Sequence, residues 1–382
     1  MKVFVHDEAL DRGGYPRECP FNTSRAGMTY RTLRSTGLLE GADRRVIAPV
    51  ALTRTMLERF HEPAYLDALQ RAGRGEHDLD ALWMGLGSPD CPLFDDMYEY
   101  VSLAAGGSVT AAKLLLSGEA HIAFNPSGGF HHAHPGRAAG FCYVNDVVLA
   151  CMTLADAGKR VLFLDVDAHH CDGVQDAFYE RSDVMTVSVH ESGKTLFPGT
   201  GFEEEIGHGE GRGYSVNFPL PVGTYDAALL RVFDRGVMPV IEAFDPDVIV
   251  MELGMDMLAG DPLAHLNLSN NAYADVVERI RGLGKPLLAT GGGGYHVENT
   301  VRGWALCWSV LCGDQEDHDA MSFGMGGVML ETTEWSGGLR DRTLLSDAGR
   351  RGGVDSEIDA TLERIYALVY PLHGIVPPAR DR

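Results

Sequence analysis

The stretch RVLFLDVDAHHCDGVQDAFYE, residues 160–180, decides the fold. It opens on a short apolar run, ends that run in Asp165, Asp167, His169, His170 and Asp172, and passes into a helical pattern over 173–180. A run of this length without polar alternation reads as a strand covered on both faces. Working outward, the same unit recurs. HIAFNPS (121–127), VMTVSVH (184–190), DVIVMELG (247–254) and KPLLATGG (285–292) read as strands, with helical patterns over 143–157, 225–243, 270–282 and 298–312. Strand alternating with helix predicts an α/β fold, a single open, mostly parallel sheet flanked by helices. The N-terminal MKVFVHDEAL reads as a first strand rather than a signal peptide, because acids follow its short apolar run. Further helices are expected near 25–37, 53–59, 62–71 and 96–117. Residues 355–368 have i, i+3, i+4 apolar spacing and should pack back on the body. No linker or repeat is visible, so 1–382 is expected to be one domain, with 314–382 a C-terminal extension.

The bulk composition narrows the function. Hydrophobic residues make up 45% and charged residues 23% of the chain, an ordinary globular mix. The apolar stretches, such as Val147 to Leu154, fall short of the ~20 residues a membrane span needs. The formal charge is −22, from 54 acidic and 32 basic residues. Such a field repels a phosphate backbone, which argues against direct nucleic-acid binding, and tolerates a cationic substrate. Seven cysteines without a C-x-x-C pair argue against a disulfide framework or a structural zinc site, and fit a reducing cytoplasm.

Ligands of open α/β sheets bind past the carboxyl ends of the strands, and four such ends here carry clustered polar residues. Asp165 and Asp167 share a face of their strand, while Asp167 and His169 straddle its end. With Asp256 from another strand end they make two carboxylates and an imidazole, a set suited to catalytic zinc with an open position. Taken alone, Asp-x-Asp-x-His also fits helix caps with a surface histidine. His131 and His132 follow Gly128 and Gly129, a loop flexible enough to turn both rings into a cleft. Amide hydrolysis needs a base for water and an acid for the departing amine, and histidine does both near neutral pH. Asp165 and Asp172 are the natural partners for the second ring nitrogens. Gly291 to Gly294 precede Tyr295, whose hydroxyl could steady a developing oxyanion. The same glycines carry neither the Lys-Ser/Thr ending of a P-loop nor G-x-G-x-x-G spacing.

These strings resemble the histone deacetylase family, of the arginase/deacetylase fold. The resemblance rests on NPSGGFHHAHPGRAAGFCYVND, LFLDVDAHHCDGV, MTVSVH, FPGTG, GMDMLAGDPL and GGGGY, in order, with CPFNTSRAGMTYRTL and GSPDCPLFDDMYEY upstream. It covers roughly residues 1–313 and is class I-like, similar to bacterial acetoin-utilisation-type deacetylases. It implies hydrolysis of N-ε-acyl lysine, acetyl foremost, in proteins or peptides. It also implies zinc on Asp167, His169 and Asp256, with His131 and His132 backed by Asp165 and Asp172, and Tyr295 on the oxyanion. Phe141 and Phe197 would flank a tunnel, with Gly140 lending its carbonyl, Leu263 at the mouth, Asp90 on the rim and Arg25 facing an internal cavity. A potassium ion would use Asp165, Ser188 and the carbonyls of Asp167, His169 and Val189.

Three departures stand out. Cys171 replaces a usual glycine, Cys19 a usual histidine, and Glu252 a neutral residue. A buried extra carboxylate needs a partner or a proton. Among rivals, a two-manganese ureohydrolase needs a second carboxylate two residues past Asp256, where Leu258 stands. An acetylpolyamine amidohydrolase would favour a glutamate at Leu263. A non-catalytic acyl-lysine binder should have lost a ligand, a histidine or the tyrosine, and none is missing.

Overall fold

The computed structural model describes residues 1–12, 14–76, 78–314, 338–342, 344 and 348–378. Part of the expected 314–382 extension lies outside them. Eight strands form one sheet: β1 (Lys2–Val5), β2 (Arg44–Ile47), β3 (Ile122–Asn125), β4 (Val161–Asp165), β5 (Val184–Glu191), β6 (Ser215–Leu220), β7 (Val248–Glu252) and β8 (Leu287–Thr290). Their order is β2-β1-β3-β8-β7-β4-β5-β6, and every pairing is parallel.

β4 shows why the apolar run becomes a central strand. Val161 and Phe163 pack into one core with Ala111 and Val147, from the helices Met97–Ser117 and Asp146–Ala155. Leu162 and Leu164 point the other way, into a core with Ile280 and Trp304 from Asn270–Gly282 and Val297–Cys312. Alternate side chains thus meet a helical layer on each face, so no polar position is needed along the strand.

β2 and β6 carry little strand signal because they are the edges. β2 holds two arginines, and β6 contains Pro219, which only an edge strand accommodates easily. The helix expected over 225–243 is observed as Asp226–Val232, a π turn Phe233–Val237, and Met238–Phe244; Pro239 lacks the N–H a regular helix would use there. The helix Ala348–Leu368 buries Val354, Ile358, Leu362 and Ile365, and Thr361 donates to the Pro219 carbonyl of β6.

The expectation that no apolar stretch reaches membrane-spanning length needs correcting. Met97–Ser117 has 21 residues and is long and apolar enough by composition, yet 67% of its apolar window is buried. Its apolarity is that of a core helix.

The register aligns the strand ends. Asn125 pairs with Thr290, Thr290 with Glu252, Glu252 with Asp165, Asp165 with Ser188, and Ser188 with Asn217. A row of buried polar residues therefore crosses six strands, closing β3, β8, β7 and β4 at Asn125, Thr290, Glu252 and Asp165 and running on into the interior of β5 and β6 at Ser188 and Asn217.

Candidate active site

The loop after β4 turns Asp167 and His169 toward the loop after β7. Asp167 N donates to Asp165 Oδ1 at 2.8 Å, His169 N to Asp167 Oδ1 at 2.9 Å, and Ala168 N to Asp256 Oδ1 at 2.8 Å. His169 Nδ1 lies 3.0 Å from both Asp167 Oδ1 and Asp256 Oδ2. The three residues are buried, with ligand atoms all within 4.8 Å of one another. Burial raises Asp256 to about 7. Burial alone would lower His169, but Asp167 and Asp256 together lift it to about 10. This point draws positive charge, and two carboxylates with an imidazole fit a divalent cation. Glycine is required around it: a Cβ on Gly254 would come within 2.0 Å of Asp167 Oδ2, and one on Gly293 within 2.1 Å of Asp256 Oδ2.

The two histidines reach the same place. His131 Nδ1 lies 2.8 Å from Asp165 Oδ2, His132 Nδ1 lies 2.6 Å from Asp172 Oδ1, and their Nε2 atoms are 3.0 Å apart. Burial would depress His131, but Asp165 and then Asp167 outweigh it and lift it to about 9. Burial and the neighbouring His131 push His132 down to about 4. One ring is thereby kept cationic beside a neutral one. The fold for this is set from below: both Asp146 oxygens accept the N–H of Gly129, and Oδ1 also accepts that of Phe130, fixing the loop. Asp146 and His134, which lies 3.3 Å from Asp172 Oδ2, drew no notice in the sequence. Asp146 follows the helix-capping Asn145 and reads there as an ordinary first-turn acid.

His131, Asp167 and Glu252 form a second close group. Glu252 Oε1 is 3.1 Å from His131 Nδ1, within ion-pair reach, but neither Glu252 oxygen meets hydrogen-bond geometry. The contact is therefore a close approach without a hydrogen bond. Burial, then Asp165 and Asp167, push this carboxyl well up, so it holds a proton. Cys171 is buried and burial pushes its thiol well up, leaving an unreactive filler; the Cys19 thiol is raised in the same way.

The rim is built from strained backbone. Gly140 has φ +53° and Phe141 has φ +64°, a left-handed conformation unusual for an aromatic residue. It is held because Phe141 N donates to the Asp90 carbonyl, Gly140 N donates to Asp90 Oδ2, and the Tyr15 hydroxyl donates to the Phe141 carbonyl. The Phe197 ring sits 4.9 Å from His132, and Phe141 sits 5.7 Å from Tyr295. Tyr295 is 6.2 Å from His169, ring to ring, and its N–H donates to Asp261 Oδ2 at 2.8 Å. Burial pushes its phenol well up, so it remains a hydrogen-bond donor.

Other expected residues lie less directly on the site. Arg25 donates to the carbonyls of Gly294 and Gly292 at 2.6 and 3.0 Å and stacks on Phe21 and Trp304, so it clamps the loop bearing Tyr295. Leu263 is half-buried, with its N–H on Asp261. The Ser188 hydroxyl faces His190 Nδ1 at 2.8 Å, and Val189 is buried beside it.

Comparison with known proteins gives one answer. The profile of the histone deacetylase domain matches residues 19–311. The acetoin utilization protein AcuC of Bacillus subtilis is 38% identical over 325 residues, 83% of this chain and 84% of that one. Histone deacetylase clr6 of Schizosaccharomyces pombe is 37% identical over 319 residues, covering 83% and 78%. The crystal structure of an HDAC homolog from Aquifex aeolicus superposes with a TM-score of 0.83 at 32% identity, over 95% of this chain and 99% of that one. An HDAC homolog complexed with SAHA gives a TM-score of 0.83 at 33% identity, over 95% and 98%.

Proposed function

The chain belongs to the histone deacetylase family, and from that premise we propose that it is a zinc-dependent amidohydrolase removing an acyl group, acetyl foremost, from the side-chain nitrogen of lysine in a protein or peptide. The observation that carries this reading is the two carboxylate-backed histidines beside the Asp167, His169 and Asp256 group.

When bound by those three residues, zinc supplies a polarised acyl carbonyl and an activated water. His132 Nε2, neutral and oriented through Nδ1 by Asp172, accepts the proton of the attacking water. His131, cationic against Asp165, keeps positive charge facing the reacting centre. Tyr295 donates a hydrogen bond to the carbonyl oxygen as it gains charge. His132 then passes its proton to the lysine nitrogen as the C–N bond breaks, leaving a carboxylate and a free amine. The same proposal includes potassium on Asp165, Ser188 and the Val189 carbonyl, supported by the pairing of Asp165 with Ser188 in the sheet. The free cysteines support a reducing, cytoplasmic setting.

The test is a panel of fluorogenic acyl-lysine peptides and acetylpolyamines, assayed with and without chelator. Hydrolysis of acetyl-lysine peptides, lost on chelation and restored by zinc, is the expected result. Stoichiometric zinc without turnover of any acyl-lysine peptide would mark a binder instead.

A further inference from the structure

Two cavities lie side by side at the mouth of the site. One, of about 580 Å³, runs from Asp90 and Phe197 past Asp172 to Leu82 and Trp83. The other, of about 730 Å³, is walled by Leu79, Leu86, Pro92 and Leu93, and shares Leu82 and Ser88 with the first. Ser88 is the hinge between them: its hydroxyl donates to Asp90 Oδ1, and Asp90 in turn holds Gly140 and Phe141. The groove is thus continuous with the mouth.

Its exposed surface is unusual. Among the described residues eleven large apolar side chains are exposed, and four of them, Leu79, Leu82, Trp83 and Phe197, line these two cavities. Trp83 is 85% exposed, Leu79 75% and Leu82 53%, although they belong to one five-residue helix, Leu79–Trp83. Apolar surface gathered beside a reaction centre marks a place that another molecule covers. The far wall is acidic, with Asp172, Asp176 and Glu205 against Arg137, so an acidic occupant is disfavoured.

We propose that this groove is a substrate subsite that reads a residue flanking the acyl-lysine, seating a leucine- or phenylalanine-sized side chain on Leu82 and Trp83. The occupant is an extended peptide. In such a chain side chains two places apart share a face, about 6.8 Å from one another, so the residue read is the one two positions from the lysine that enters the tunnel. A free acetylpolyamine has no side chain to place there. This inference rests on the acyl-lysine hydrolase reading and adds a substrate preference to it.

Three substrates test it: acetyl-lysine flanked by glycines, the same peptide with leucine two positions away on either side, and N-acetylated acetyl-lysine amide without flanks. The wild-type enzyme should prefer a leucine peptide over the glycine peptide by about tenfold in kcat/KM, the effect lying in KM, as for burial of part of a leucine side chain. In the double variant Leu82→Ala, Trp83→Ala that preference should fall to about one, and Leu82→Met, Trp83→Tyr should restore most of it. Both side chains are exposed, so the fold is not at stake. No preference in the wild type, or an equal preference in the alanine variant, overturns the subsite while turnover of the unflanked amide leaves the hydrolase reading standing. Failure to hydrolyse the unflanked amide and every peptide overturns both.

Discussion

Glu252 Oε1 approaches His131 Nδ1 to 3.1 Å, the same nitrogen that Asp165 Oδ2 contacts at 2.8 Å. The two acids are neighbours because they are paired residues on adjacent strands, although 87 positions separate them in the chain, 165 to 252. A single ring nitrogen cannot neutralise two buried carboxylates, and so one of them keeps its proton.

That proton has a consequence for stability. Folding raises the Glu252 carboxyl above its unfolded pKa of about 4.3, so the folded state holds a proton the unfolded state releases. Its penalty grows as pH climbs above the unfolded value. Glu252→Gln keeps the shape without the ionisation, and should gain stability over wild type by an amount that increases from about pH 5 to about pH 8. Urea midpoints at the two pH values measure it. A difference that stays constant with pH would mean Glu252 is not the proton carrier.

His131 bears on the rate profile. Asp165 and Asp167, overcoming burial, raise it to about 9, so its charge is present below that pH and lost above it. kcat/KM should fall on the alkaline side near pH 9. Asp165→Asn removes a charge that favours the cation, and the alkaline limb should move down by about one to three units. An unmoved limb would assign it to another group.

Tyr295→Phe should lower kcat by ~10²–10³, the usual loss for one oxyanion donor. Zinc content should be unchanged, because Tyr295 meets His169 only through a ring-to-ring contact at 6.2 Å. A wild-type rate would remove the hydroxyl from the mechanism.

Asp167→Asn should bind zinc poorly. Besides belonging to the candidate ligand group, Asp167 accepts the N–H of His169 through Oδ1 and that of Gly293 through Oδ2. Metal analysis of the purified variant is the direct check, and full occupancy would contradict the ligand assignment.

Gly140→Ala tests the rim. The added Cβ would stand 2.3 Å from His132 Cδ2, in a backbone conformation of φ +53°. The imidazole must move, and displacement of a catalytic base by about 1 Å costs about 10² in turnover. Retained activity would show that His132 tolerates displacement.

The sequence alone settled what depends on neighbours along the chain. Apolar runs alternating with helical patterns specified a parallel sheet, and the polar clusters closing those runs located Asp167, His169, Asp256, His131 and Tyr295 at one edge. Short-range periodicity carries that information because a strand covered on both faces must be apolar throughout. Other features needed the tertiary structure. Strand register put Glu252 against His131, long-range packing aimed Asp146 at the loop beneath the histidines, and the edge positions of β2 and β6 allowed arginine and proline in strands. Leu82 and Trp83, apolar by type, are left at the surface by the fold. In each case the deciding partner is far away in the chain, and only the folded backbone determines which distant residues meet.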